Sequence, residues 1–468
     1  MRYRLLRGAM ASLLAGLVSR ALGALYRLFL ARLVGETGIG LLQMAMPVYY
    51  LAVIVASLGL PTGVAKLVAE GRARSDERSI ERTLREALRL AVAVAVVAAA
   101  GLWWTAPWLA QRLLQEGRAA GALRWMPLAL LIAVPSGLLR GYFQGLDDLE
   151  TPSIAQLAEQ LVHAAAVLAL ARLLLPRGLA AVVTGSVFGV ALGEAAGLAV
   201  YVLAYRRRTA RPLPWRPAGR GVRRGELARL SLPVMVVSLT GALSSTLDAV
   251  LIPRRLERAG LAPAAAVAAY GRVVGMALPV LYLPMVAVYP LAVMTLSGVS
   301  AASEARSPAS LRRQLTLYAL LAAVIGLATS LLLLAAPAGV ARLLYGQATV
   351  APLLLWLVPA APLLYVGQIF SSALNGLGRT GAVLANGTAG LAVRLALLWL
   401  LTGDPRVGEA GPLIAFAAGS GVTLGLSFLA LARAIRGSQP AGRRPPAPRW
   451  RLAPMRRVAS HPPSGPRS

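Results

Sequence analysis

Apolar residues in this chain come in long blocks: stretches of about 20 or more recur from residue 9 to residue 436, parted by short segments rich in Arg. As a helix, each block is long enough to cross a hydrocarbon core of about 30 Å. A transmembrane β-barrel would need alternating segments of about ten residues, and that pattern is absent. The blocks predict spans near residues 9–33, 40–62, 87–110, 124–146, 153–175, 179–205, 229–252, 264–298, 314–341, 351–375, 381–402 and 411–435. The expected fold class is all-α, a polytopic membrane protein of about twelve transmembrane helices. Pro107, Pro135, Pro279, Pro284, Pro290 and Pro359 fall inside or beside these spans, where neighbouring helices satisfy the carbonyls that proline frees.

A basic, proline-bearing loop with Arg206, Arg207, Arg208, Pro212, Pro214 and Pro217 divides the spans six and six. The expected organisation is an amino-terminal six-helix lobe over 1–205, a cytoplasmic linker over 206–228, a carboxy-terminal six-helix lobe over 229–436 and a disordered basic cytoplasmic tail over 437–468. An offset of about 230 residues sets Phe143-Gln144-Gly145-Leu146 against Ala373-Leu374-Asn375-Gly376-Leu377, and Leu60-Pro61 against Tyr289-Pro290, as an internal duplication would. Parallel repeats with an even number of spans are related by an axis along the membrane normal and put a substrate site between them.

Composition supports this reading. With 57% hydrophobic and 14% charged residues and a mean hydropathy of +0.66, 468 residues are too apolar for a soluble globule. The absence of cysteine removes disulfides, thiolate metal sites and cysteine nucleophiles, and two histidines leave little for zinc. No cofactor, no metal and no catalytic residue are expected, and the chain reads as a non-enzyme. A net charge of +30 would point to nucleic acid on a soluble surface, but here the basic residues lie between spans, so no nucleic acid is expected. Lys and Arg mark cytoplasmic loops: with the amino terminus inside, those loops collect about 32 of the basic residues against about 11 outside. Both termini are then cytoplasmic in a multi-pass protein of the bacterial cell membrane. Arg20 and Arg27 interrupt the first apolar run, which therefore reads as a span and not as a cleaved signal peptide.

Ionisable groups at membrane depth are costly and by default face a cavity or a partner helix. In the first span Gly16, Arg20, Gly23 and Arg27 share one face, which can bind an anion or pair with acids on neighbouring helices. The fifth span carries Gln156, Glu159, Gln160 and His163 at helical spacing, either a transport stripe with Glu159 as an ion-coupling acid or an interhelical hydrogen-bond clasp. Ser238, Gly241, Ser245 and Asp248 line the seventh span, with Asp248 a second candidate for ion coupling or for neutralising an Arg. Arg272 and Arg394 add buried positive charge, and Gln368, Ser371, Ser372 and Asn375 add polarity to the tenth span. Gly185, Gly189, Gly193 and Gly197 form a seam for close helix packing, with Glu194 beside it as a paired structural acid. Asp147, Asp148 and Glu150 precede Thr151 and Pro152 in a turn suited to a helix amino terminus. A glycosyltransferase using such acids would need a sizeable extramembrane domain, and the loops are short.

Ser19-Arg20-Ala21-Leu22-Gly23, Ala31-Arg32-Leu33-Val34-Gly35, Gly59-Leu60-Pro61-Thr62 and Arg140-Gly141-Tyr142-Phe143-Gln144-Gly145, leading through Gln156 to Glu159-Gln160, together resemble the stage V sporulation protein B group. That group belongs to the polysaccharide flippase branch of the multidrug/oligosaccharidyl-lipid/polysaccharide exporter superfamily. The resemblance implies a MATE-like fold of two six-helix lobes, an alternating central cavity, and a lipid-diphosphate-linked glycan as cargo. The chain is also similar to the lipid II flippase, whose first helix carries cavity arginines: Arg20 matches one, while Tyr26 falls at the place of the second, with Arg27 one residue later. Members often carry two further carboxy-terminal helices, and this chain has a basic tail there instead.

Residues and resemblance agree on a carrier with a cationic interior. The expected substrate-binding residues are Arg20, Arg27, Arg272, Arg394, Gln156 and Gln160, and the expected ion-coupling residues are Glu159 and Asp248, with H+ or Na+ as the ion. The expected function is movement of a lipid-linked oligosaccharide or cell-wall precursor across the cytoplasmic membrane, for polysaccharide or peptidoglycan biosynthesis. Two alternatives are a cation-coupled multidrug antiporter, which would prefer an acidic cavity, and a non-transporting membrane protein.

Overall fold

The computed structural model describes residues 2–209, 224–304 and 308–437. Most of the expected linker and almost all of the expected tail lie outside the described residues. Among the described residues every regular element is helical. The first, α1 (Arg2–Ser57), is two spans joined at Gly35, whose φ of 68° breaks the helix where only glycine sits without strain. Then follow α2 (Leu60–Ala73), α3 (Glu77–Trp108), α4 (Ala120–Gly145), α5 (Glu150–Leu174), α6 (Leu179–Thr209), α7 (Arg224–Arg258) and α8 (Pro263–Tyr270). A wide helical turn over Gly271–Ala277 joins α8 to α9 (Leu278–Glu304). The chain continues through α10 (Pro308–Ala335), α11 (Pro337–Tyr345), α12 (Ala351–Trp356), α13 (Ala360–Gly376), α14 (Thr380–Leu401) and α15 (Gly411–Gly437).

Ten of these stretches are long and apolar enough to cross a membrane. The first runs 59 residues and divides at Gly35, and α13 with α12 ahead of it supplies one more crossing, so the stretches resolve into the expected twelve spans. Outward-facing positions are greasy: Trp104 is 85% exposed and Leu343 75%. In water such surface would be a liability, whereas lipid covers it without cost.

The second half repeats the first at a constant offset. Glu77 and Pro308 open α3 and α10, Ala120 and Ala351 open α4 and α12, and Gly145 and Gly376 close α4 and α13, each pair 231 residues apart. Both helix ends turn the same way, through Asp147 at φ 55° and Gly378 at φ 72°. The amides of Asp148 and Arg379 reach back to the carbonyls of Phe143 and Leu374 at 3.0 and 2.9 Å. Packing repeats as well: Gly145 lies on Ala65 and Val68, and Gly376 on Leu296 and Val299.

The glycines of α6 form the expected seam against α5. A methyl on Gly193 would stand 2.7 Å from His163 Cβ and 2.9 Å from the Glu159 carbonyl oxygen. The acidic turn before α5 is structural: Asp147 pairs with Arg72, and Asp148 accepts from the Thr151 amide at 3.0 Å and hydroxyl at 2.8 Å. The side chain that caps this helix start is therefore Asp148.

Candidate functional site

A cavity of about 520 Å³ opens between the two sets of helices. Its first wall is α1, through Ser19, Arg20, Gly23 and Arg27, backed by Gln156 and Gln160 of α5. The facing wall is the wide turn and α9, through Pro279, Tyr282 and Tyr289, with Tyr345 and Gln368 completing it. Arginines at positions 20 and 27, seven residues apart, rise about 10 Å along one helical face, so both guanidinium groups enter the same space at different depths.

Neither arginine has an acidic partner among the described residues. The Arg20 guanidinium carbon lies 3.5 Å from the centre of the Tyr289 ring, a cation–π contact that spans the cavity. Arg27 stands beside Tyr26 and Tyr50. Among the described residues no carboxylate lines the cavity. The walls present cations, amides and phenols, a set suited to an anion with hydroxyl groups around it.

The other expected site residues lie elsewhere. Arg272 is held by two acids from distant parts of the chain: its Nε donates to Glu409 at 3.0 Å and its Nη2 at 2.5 Å, and Nη1 donates to Glu36. Glu36 also accepts from Thr349 and, at 3.4 Å, from Gln347. Nearby Arg32 donates to the carbonyls of Leu343 and Leu344, and Arg254 to those of Arg112 and Leu113, at 2.8 Å each. These contacts tie the two halves together at the end of the bundle opposite the chain's first residues. Arg394 pairs with Asp248 and lies 5.6 Å from the Phe416 ring. Both Arg272 and Arg394 are thus neutralised outside the cavity.

The α5 stripe divides. Gln156 and Gln160 face the cavity, while Glu159 turns to Arg140, whose Nη2 lies 3.5 Å from its carboxylate. His163 packs its ring 5.0 Å from that of Tyr26. Arg140 also reaches the Tyr201 hydroxyl at 3.4 Å. Within the Arg140–Gly145 motif, Tyr142 and Phe143 rest on Tyr205 and Tyr201, with ring centres 5.6 and 5.9 Å apart, so this motif glues α4 to α6. Tyr282 and Tyr289 were not singled out from the sequence as site residues, although their seven-residue spacing on an apolar helix is a legible signal. Glu36 and Glu409 fall between the predicted spans and carry no such signal.

A family model described as polysaccharide biosynthesis protein matches residues 5–296. The chain is 27% identical over 420 residues to the Stage V sporulation protein B of Bacillus subtilis (strain 168), covering 88% of this chain and 81% of that protein. It is 27% identical to the Lipid II flippase MurJ of the same organism over 219 residues, 44% of this chain and 40% of that one. Among solved structures, the inward-facing conformation of a multidrug resistance MATE family transporter of the MOP superfamily superposes with a TM-score of 0.73 at 17% identity, covering 90% of this chain and 95% of that chain. The outward-facing conformation of a MATE family transporter gives 0.63 at 18% identity over 92% and 96%. These structural matches establish a MATE-like fold.

Proposed function

This chain belongs to the polysaccharide biosynthesis protein family, and on that premise we propose that it is a flippase: it carries a lipid-linked oligosaccharide or cell-wall precursor, a polyprenyl-diphosphate sugar, across the cell membrane by alternating access between two six-helix lobes. The observation that carries the proposal is the pair Arg20 and Arg27, both lining an acid-free cavity and both without an acidic partner among the described residues. Two unpaired guanidinium groups match a diphosphate, which arginine grips through parallel N–H donors. Gln156 and Gln160 would orient the first sugar. An organic-cation antiporter would need the opposite sign of charge in this space.

In this reading both termini are cytoplasmic and the cavity loads from that side. The better superposition on an inward-facing relative supports the loading state, as do the ion pairs of Arg272 at the opposite end. Outward opening requires Arg272 to leave Glu36 or Glu409, so these residues act as a latch, not as a substrate contact in this state. A coupling ion, H+ or Na+, would engage Glu159, whose carboxylate meets Arg140 only at 3.5 Å among the described residues; Asp248 is committed to Arg394. The cargo itself supplies no chemistry for the protein to perform, so the work is binding and rocking.

The test is translocation of a fluorescent polyprenyl-diphosphate sugar in proteoliposomes, with Arg20→Ala and Arg27→Ala beside the native protein. Loss of transport in both variants, with insertion and thermal stability intact, is expected. Transport of an organic cation and not of the lipid would overturn the proposal.

A further inference from the structure

A second concavity, of about 620 Å³, lies on the lipid-facing side of the carboxy-terminal half. Helix α13 forms its floor, through Phe370, and α10 and α15 form the walls, through Ala319, Ala323 and Phe428. Phe370 and Phe428 meet at 6.0 Å between ring centres. Gln368, two residues before Phe370, faces the central cavity instead, so α13 partitions the two spaces. Arg312, near the start of α10, stands at one end of the groove, exposed and without an ion pair among the described residues.

The internal repeat shows that this groove is a departure and not a consequence of the architecture. Shifted by 231 residues, Ala319, Ala323 and Ala432 correspond to Leu88, Val92 and Tyr201 in the amino-terminal half. There Leu88 is 3% exposed and Tyr201 fully buried, filling the space that three alanines leave open in the second half. Arg312 corresponds to Glu81, so the charge at the mouth is reversed too. From Arg312 to Ala323 the α10 wall rises about 16 Å, the depth of one leaflet's hydrocarbon, about half of 30 Å. By the alternation of spans, Arg312 lies on the side of the membrane that carries the basic run Arg206, Arg207 and Arg208.

We propose that this groove binds an anionic glycerophospholipid of that leaflet, with one acyl chain laid between α10 and α15 over Phe370 and the phosphate held by Arg312. The apolar walls, the leaflet-long run and the single unpaired cation at the mouth each match one part of such a molecule. A zwitterionic lipid offers the same chain but a headgroup whose ammonium weakens the pull on Arg312. The occupant sits behind α13, away from the transport cavity, so its role is to brace the α10–α13–α15 cluster, whose apolar core around Val299, Leu315 and Leu374 is separate from the main one.

Native mass spectrometry of the full chain, released from bilayers holding equal amounts of a phosphatidylglycerol and a phosphatidylcholine with the same acyl chains, tests this. The native protein should retain one phosphatidylglycerol in about fivefold preference, the ratio expected for one arginine near a membrane surface. Arg312→Gln should abolish the preference, and Ala319→Phe, which puts a bulky side chain where the amino-terminal half carries Leu88, should remove the retained lipid of either kind. Equal retention of both lipids by the native chain, or a preference untouched by both substitutions, would overturn the proposal. Displacement of the phosphatidylglycerol by equimolar polyprenyl phosphate would also overturn it, because the groove would then belong to the cargo's tail.

Discussion

Gly40 and Gly271 meet across the contact between the two halves, each pressed on the chain of the other: Gly40 on the carbonyl of Val267, Gly271 on the carbonyl of Glu36. The glycines are 231 residues apart, and each touches the residue four positions before its counterpart. The contact is therefore reciprocal, as across a two-fold axis, and it fixes where the axis of the duplication passes. Arg272, next to Gly271, reaches Glu36 at the same crossing, so the close backbone contact and the ion pair share one turn of helix.

Because a methyl group at either position would enter a backbone carbonyl, Gly40→Ala and Gly271→Ala should each force the helices apart and cost about 1–3 kcal/mol, the range for overpacking. The reciprocity predicts similar losses. Thermal unfolding in detergent micelles checks this, and a loss confined to one of the two would mean that the contact is not shared equally.

How far the sequence reaches is clear from α5. Its spacing groups Gln156, Glu159, Gln160 and His163 into one stripe, and that stripe exists, but it is about 100° wide at 3.6 residues per turn. Gln160 lies at one edge and Glu159 at the other, so the cavity takes one side and Arg140 the other. Periodicity places residues on a face without saying which neighbour each edge meets. Arg20 and Arg27 were legible because both sit at membrane depth on one helix. Arg272 was legible as a buried charge, yet its partners, Glu36 and Glu409, are 236 and 137 residues away. No local pattern brings them together. Of the two short matches that suggest the duplication, Gly145 against Gly376 falls on the 231-residue repeat, whereas at that offset Pro61 meets Ala292 and not Pro290; the matched helix ends, not the prolines, set the register.

Removing the latch should free the far side. Arg272→Gln leaves Glu36 and Glu409 without their shared cation, and should weaken that closure by about 1–3 kcal/mol, less than for a fully buried pair because Arg272 keeps 20% of its side chain exposed. The chain has no native cysteine, so a single Gln347→Cys reports cleanly. Its labelling by an impermeant maleimide should rise with Arg272→Gln, and unchanged labelling would show that the ion pairs do not hold the gate.

Tyr289 holds Arg20 in the cavity through its ring face and leaves the guanidinium edge free for phosphate. Tyr289→Leu keeps the apolar bulk and removes the ring quadrupole, worth about 0.5–1.4 kcal/mol. The concentration of lipid-diphosphate sugar giving half-maximal transport should rise about two- to tenfold, with the saturated rate unchanged. A fall in the saturated rate alone would mean that Tyr289 acts in the rocking step and not in binding.

Asp248 and Arg394 make the sharpest separation between packing and transport. Asp248 is 6% exposed, and Arg394 from α14 is its ionic partner, so neither charge is free for cargo or ion while the pair stands. Arg394→Gln alone strands a carboxylate in the bundle and should cost about 3–5 kcal/mol, the range for breaking a buried pair. Adding Asp248→Asn removes that stranded charge, and the double variant should recover most of the stability, since two neutral amides can hydrogen-bond across the same gap. Transport then decides the role. If the pair only joins α7 to α14, the refolded double variant moves lipid-diphosphate sugar at close to the native rate. If Asp248 must exchange Arg394 for a coupling ion in each cycle, the double variant folds but no longer responds to an imposed ion gradient. The neutralised pair, set outside the cavity, makes the first outcome the expected one.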